Sequence, residues 1–223
     1  GEQRIGADAR YASNVDGTRT LFNHVAGAGA RGVVFLSSMS AYGRIRDSVV
    51  TETTPIDSPD VYGQSKLAGE QCLAGMVERH PHMTALVLRL PAVVGKGARH
   101  NFLAGTLAGI MSGAVIEARY PDALFNNVVH VADLADFIRA YCERALPGFQ
   151  LSNIAASEAV TIREVIGLLF RRSGRNERVD YSNTGKAPFT ISLERACELG
   201  YRPRSVRDTL TAFVDDVCSP SRQ

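Results

Sequence analysis

Two nearly continuous apolar runs bracket one amphipathic stretch, and few folds accommodate that order. Gly32-Val33-Val34-Phe35-Leu36 and Ala85-Leu86-Val87-Leu88-Arg89-Leu90 lack the alternation of a half-solvated strand. Such runs are the pattern of parallel strands buried on both faces. Between them, Tyr62 to Arg79 carries Leu67, Leu73, Met76 and Val77 on an inward face and stops before Pro81, a residue that ends helices. Strand, crossover helix and strand make a βαβ unit, whose connection is nearly always right-handed. Upstream, Val15, Thr18, Leu21, Phe22 and Val25 predict a helix ending at Gly27-Ala28-Gly29. The polar loop Arg44 to Asp60, with Pro55 and Pro59, is expected to lack regular structure. Downstream, Phe102 to Met111 and Leu134 to Ala145 read as helices around a short strand, Val128 to Val131. Thr161-Ile162-Arg163-Glu164 is a capping box opening a helix that runs to Phe170. Ser192 to Leu199 is a short helix closed by Gly200, and a last helix starts near Ser205 with Val206, Leu210, Phe213 and Val214.

Composition removes several function classes. With 45% apolar and 22% charged residues, 223 residues can bury a sizeable core. No window approaches 18 uninterrupted apolar residues, the length that reads as a membrane-spanning helix. Gly1 to Arg10 has no signal-peptide pattern. The net charge of +2, from 25 basic and 23 acidic residues without a long basic run, argues against nucleic-acid and membrane-surface partners. Cys72, Cys142, Cys197 and Cys218 are far apart and form no CxxC pair. Neither a disulfide framework nor a metal site is expected, and a cytoplasmic location is.

The chemistry concentrates at Tyr62-Gly63-Gln64-Ser65-Lys66. A spacing of four puts Tyr62 and Lys66 on one helix face, so the ammonium can lie near the phenol. A free tyrosine, with a pKa of ~10, is a poor base at neutral pH. A nearby cation favours the phenolate, which suits general acid/base work. The pair alone is a weak signal, and its context strengthens it. Ser38 stands at the carboxyl end of the first apolar run, where open α/β sheets bind ligands. Ser37-Ser38-Met39-Ser40-Ala41-Tyr42-Gly43 supplies hydroxyls there. A plain turn leaving a strand is the competing reading of those serines.

Four ordered blocks now carry a resemblance. They are Asn14-Val15-Asp16-Gly17-Thr18, Val34-Phe35-Leu36-Ser37-Ser38 through Tyr42-Gly43 with Tyr62 and Lys66, Leu88-Arg89-Leu90-Pro91-Ala92-Val93-Val94-Gly95, and Val128-Val129-His130-Val131-Ala132-Asp133-Leu134-Ala135. Together they make the chain resemble the extended short-chain dehydrogenase/reductase family, the NAD(P)-dependent sugar epimerases and dehydratases. The resemblance implies a Rossmann-type, doubly wound parallel sheet of α/β class, of which only the later part is present, and a small C-terminal α+β substrate lobe. Residues 1–97 would be the remainder of the nucleotide-binding domain and 98–223 mostly the lobe, with about 127–145 returning to the first domain. By the same resemblance Ser38, Tyr62 and Lys66 are catalytic, and Ser37, Tyr62, Lys66 and Pro91 meet NAD or NADP. Ser38, Ala92 and Asn126 face a carbohydrate-like substrate. His130, between valines, is read as a hydrogen-bonded structural residue, and Asp133 as helping to start the next helix.

The departures from that pattern matter as much. The family begins with a strand, a Gly-rich turn and a helix that binds pyrophosphate, and Gly1 aligns beyond them. The chain is therefore expected to be part of a longer enzyme, because a sheet lacking its central strands would expose a long apolar edge. A truncated product without normal cofactor binding is the other reading. Gly27-Ala28-Gly29-Ala30-Arg31-Gly32 satisfies GxGxxG but follows a helix and precedes a strand, the reverse of what phosphate binding requires. Ala92 stands where nucleotide-sugar members commonly place Asn, and Asn126 where they commonly place Arg, the usual bidentate phosphate partner. Lys96, Arg99, Arg119 and Lys186 are candidate substitutes, each also readable as a solvated charge. Met39, Ser40 and Ala41 after Ser38 disfavour 4,6-dehydration. What remains is an NAD(P)-dependent oxidoreductase or epimerase acting on a sugar-like alcohol or ketone. A non-catalytic NAD(P)-binding sensor, or an inactive fragment on the same fold, is the alternative. A homodimer through the Tyr62 helix is expected, with Ala68, Gly69, Cys72 and Met76 as its exposed small or soft positions.

Overall fold

The computed structural model describes residues 7–144 and 146–218. In chain order it forms α1 (Ala7–Gly27), β1 (Gly32–Ser38), a single 3-10 turn (Met39–Tyr42), β2 (Val49–Val50), α2 (Val61–Arg79), β3 (Thr84–Leu90) and β4 (Ala92–Val94). There follow α3 (Phe102–Ser112), β5 (Ile116–Arg119), β6 (Leu124–Phe125), β7 (Val128–His130), α4 (Val131–Arg144) and β8 (Gly148–Asn153). The chain ends with β9 (Val160–Thr161), α5 (Ile162–Ser173), β10 (Val179–Ser182), β11 (Thr190–Ile191), α6 (Glu194–Glu198) and α7 (Val206–Cys218). These gather into two compact units. The first holds residues up to Arg46, Thr51–Leu90 and Ile138–Asn153; the second holds Asp47–Val50, Pro91–Phe137 and the chain from Ile154 on. The units change over after Leu90, beside an expected boundary at residue 97. The return to the first covers Ile138–Asn153, beside an expected return over about 127–145.

In the first unit β1, β3 and β8 form a wholly parallel sheet in that order. Its register sets Ser37 opposite Arg89 and Arg89 opposite Asn153, so three polar residues end one face of the sheet together. The rest of that face is apolar. Val33, Phe35, Ala85, Val87, Phe149 and Leu151 pack with Phe22 of α1 and with Leu73, Met76 and Val77 of α2. Each fully buried side chain of this size contributes about 1.5–3 kcal/mol.

α2 follows the predicted helix closely, but its inward face differs. Leu67 is only half-buried, while Gly69 and Glu70 are buried. The reason is the close approach of helix to strand, since a Cβ on Gly69 would sit 2.6 Å from Phe35 Cζ. That approach also removes Gly69 from the exposed face expected to dimerise, as does the burial of Met76, 1% exposed. Ala68 and Cys72 are half-buried. The strand β8 was not legible in the sequence, because Phe149 and Leu151 alternate with Gln150 and Ser152 and give no continuous run. The loop expected to be irregular contains β2, which pairs with β11 inside the second unit.

The second unit is built on α3, α5 and α7. All four α7 residues assigned inward, Val206, Leu210, Phe213 and Val214, are buried in its core. The capping box forms as predicted: Glu164 N donates to Thr161 Oγ1 at 3.2 Å, and Thr161 N donates to Glu164 Oε2 at 2.9 Å. α4 starts three residues before the expected Leu134, because Ala132 N donates to His130 Nδ1 and that ring caps the first turn.

Candidate active site

Three segments of the first unit meet at the carboxyl end of β1. Ser38 ends the strand and opens the 3-10 turn, its Oγ accepting from Ser40 N at 3.1 Å. The loop that follows is laced back onto this turn, with Arg44 N donating to Asp57 O and Asp57 N to Tyr42 O. Asp60 then caps α2, its carboxylate accepting from Gly63 N at 2.7 Å, an N-cap of the strong kind. Gly63 makes the convergence possible. A Cβ there would overlap the Ser40 carbonyl and meet Pro59 Cβ at 2.9 Å. The first turn of α2 thus rests against the turn that Ser38 opens.

On that first turn Tyr62 is 48% exposed, and among the described residues its hydroxyl has no hydrogen-bond partner. Lys66 lies one turn further along. Its Nζ donates to Leu36 O at 3.0 Å, 5.1 Å from the Phe35 ring centroid and 5.6 Å from the Tyr62 centroid. Both rings are within the range of a cation–π attraction. Burial pulls the Lys66 ammonium below the ordinary lysine pKa, and the Glu70 carboxylate opposes that pull. The structure therefore brings Ser38, Tyr62 and Lys66 to one end of one unit.

Ser37 takes another direction. Its side chain is buried and its Oγ donates to Glu70 Oε1 at 2.5 Å. Glu70 is in turn gripped by Arg89, Nε to Oε1 at 3.0 Å and Nη2 to Oε2 at 2.6 Å. The Arg89 guanidinium lies 4.4 Å from the Tyr42 ring centroid. The Tyr42 hydroxyl is shared between Thr51 O at 2.8 Å and Asn153 Oδ1 at 2.9 Å. Burial pushes the Tyr42 phenol above its ordinary pKa, so it remains a donor at neutral pH. Sequence reasoning missed Glu70 and Arg89. The available signals were an arginine inside an apolar run and an acid four residues after Lys66.

Pro91, Ala92 and Asn126 belong to the second unit. Pro91 and Ala92 are half-buried at the start of β4, which pairs with β7. Asn126 is 5% exposed, and its carboxamide clamps the Ile191 backbone: Nδ2 donates to Ile191 O, and Oδ1 accepts from Ile191 N, both at 2.8 Å. The carboxamide expected to face substrate is engaged in holding β11. Asn126→Ala is expected to lower stability by about 1–3 kcal/mol, since it strands two buried backbone groups; a thermal melt measures this directly. His130 is hydrogen-bonded, Nε2 to Asp216 Oδ2 at 3.2 Å, and Asp133 accepts from Arg204 at 2.7 Å. The turn Gly95-Lys96-Gly97 lies between a strand and a helix, but Lys96 N already donates to Asp216. A carboxylate at that amide repels a phosphate.

The model of the NAD-dependent epimerase/dehydratase family matches residues 3–155. The chain belongs to this family. Among its relatives, the UDP-glucose 4-epimerase of Streptomyces lividans is 27% identical over 190 residues, 78% of this chain and 57% of its own length. That of Erwinia amylovora is 26% identical over 200 residues, 78% of this chain and 59% of its own length. The chain therefore spans less than two thirds of these relatives. A putative epimerase from Burkholderia cenocepacia J2315 superposes with a TM-score of 0.80 at 23% identity, over 97% of this chain and 74% of its own. The UDP-Glc/GlcNAc 4-epimerase from Campylobacter jejuni does so with 0.78 at 19% identity, over 94% and 71%. At such identities the likeness establishes the fold, which is Rossmann-type α/β.

Proposed function

We propose that this protein is an NAD-dependent sugar epimerase, acting on a ring hydroxyl of a sugar carried by a nucleoside diphosphate. The observation that carries the chemistry is the half-exposed Tyr62, whose hydroxyl has no partner among the described residues, on the helix turn below which Lys66 is fixed, with Ser38 at the strand end. The substrate class rests on the relatives, which are UDP-glucose 4-epimerases. The described residues fit the nicotinamide-ribose end of the cofactor: an ammonium and a phenol stand where an open α/β sheet binds ligands. Neither of two glycine turns offers the cradle a pyrophosphate needs: Gly27 to Gly32 leads from α1 into β1, and the strand-to-helix turn Gly95-Lys96-Gly97 has its Lys96 amide taken by the Asp216 carboxylate.

Bound NAD would accept and return the hydride of the substrate carbon. Tyr62 would take the proton of the same carbon's hydroxyl as the C–H bond breaks, leaving a ketone, and would return a proton to the oxygen when the C–H bond re-forms on the opposite face. Ser38 would hold that oxygen by a hydrogen bond in both stages. Lys66, anchored on Leu36 O, would hold the ribose and keep positive charge beside the phenol. Cytoplasmic location, expected from the four separated cysteines, and pairing through α2, expected from family resemblance, belong to the same reading.

The test is interconversion of 4-epimers. The purified protein with NAD is incubated with UDP-glucose, UDP-galactose and their N-acetyl and uronic acid counterparts, and anomeric proton signals are followed. Conversion of at least one pair is expected. No conversion of any pair, with saturable NAD(H) binding retained, would make it a binding protein; loss of both would end the enzyme reading.

A further inference from the structure

Beneath Lys66 lies an ion pair that the chemistry above does not use. The Glu70 and Arg89 side chains are 7% and 5% exposed, at the polar end of a face whose remaining side chains are apolar. Removing two charges from water is costly, and well-packed apolar residues often hold a helix to a strand as firmly. The contacts of the pair show what apolar residues would not supply. Glu70 receives the Ser37 hydroxyl, one residue before Ser38. Arg89 supports the ring of Tyr42, which closes the turn that Ser38 opens. Glu70 itself lies one helical turn after Lys66. The pair thus holds both ends of the Ser38 turn and the helix that presents Tyr62 and Lys66. The titratable and charged groups that act on or through the pair are Lys66 on α2 and Tyr42 in the turn, with Glu52 acting on Tyr42; β1 presents the Ser37 hydroxyl.

We infer that Glu70 and Arg89 are positioning residues that fix the Ser38 turn against the Tyr62–Lys66 turn of α2. This rests on the roles proposed above for Ser38, Tyr62 and Lys66. A 1 Å misplacement of such groups costs on the order of 10²-fold in rate.

The test separates position from packing. Glu70→Gln and Arg89→Met each alter one partner of a buried pair and are expected to lower Tm sharply. The double variant Glu70→Leu/Arg89→Met leaves no buried charge unpaired and should regain most of the lost Tm. Its turnover is expected to stay down by about tenfold or more with KM little changed. The chain has three lysines, Lys66, Lys96 and Lys186, so isotope-labelled lysine resolves Lys66 by NMR, assigned with Lys66→Arg. In the double variant Lys66 should titrate at lower pH than in the wild type. Ser37→Ala, which disturbs neither charge, should lower turnover several-fold without moving that titration. A double variant with full turnover would overturn the inference. If the double variant fails to fold, unchanged turnover in Ser37→Ala does so instead. Should the wild type itself show no turnover, the functional reading fails and the positioning role falls with it; a shifted Lys66 titration then reports only that Glu70 acts on Lys66.

Discussion

Tyr62→Phe is expected to lower turnover by about 10²–10⁴-fold or more, the range that a positioned acid/base contributes, while NAD(H) affinity stays nearly unchanged. The geometry makes the substitution unusually clean. The residue is 48% exposed, and its hydroxyl bonds to no described residue, so no internal partner is stranded and stability should move by less than about 0.5 kcal/mol. Lys66 remains fixed to Leu36 O at 3.0 Å and still faces an aromatic ring. What disappears is one O–H at the place where a proton must move. Single-turnover measurements with saturating substrate, alongside fluorescence titration of NADH, separate the two quantities. A variant that keeps more than about a tenth of wild-type turnover would put the proton elsewhere and leave Tyr62 as a wall of the site.

Much of this arrangement was readable before any coordinates, and the parts that were not share a physical cause. Continuous apolar runs announced β1 and β3, because a strand buried on both faces has no polar alternation to confuse it with a helix. β8 offered only Phe149 and Leu151 between polar residues, and its partner β3 lies some sixty residues away in sequence, beyond any local pattern. The site divides in the same way. Tyr62 and Lys66 are four residues apart on one helix, so local spacing sufficed. The Glu70–Arg89 pair joins a helix to a strand, and composition alone makes each look like a solvated charge. Burial revealed them, and Glu70, with Gly69, takes the place of Leu67 on the inward face of α2. Ser37 and Asn126 show the converse. Their residue types fitted a binding role, but their hydrogen bonds go to Glu70 and to the Ile191 backbone.

Gly63→Ala tests the close approach of α2 to the turn that Ser38 opens. In a helix interior alanine is favoured over glycine by about 0.5–1 kcal/mol, and Gly75 of the same helix should follow that rule. A Cβ at Gly75 meets only Arg79 Nη1 at 3.5 Å, an ordinary contact with the end of a long side chain, so Gly75→Ala is expected to stabilise by that amount. At Gly63 the sign reverses. The added carbon would overlap the Ser40 carbonyl, a backbone atom held by its own turn, and overpacking of this sort typically costs about 1–3 kcal/mol. The strain can be relieved only by lifting the first turn of α2, which carries Tyr62, away from the turn that carries Ser38. Gly63→Ala is therefore expected to lose both stability and turnover, with kcat falling on the order of 10²-fold, whereas Gly75→Ala keeps full turnover and gains in Tm. Thermal melts and steady-state rates on the two variants decide the matter. Equal stabilisation by both, with equal turnover, would mean that the approach of α2 to Ser40 does not set the position of Tyr62, and the proposed acid/base geometry would lose its support.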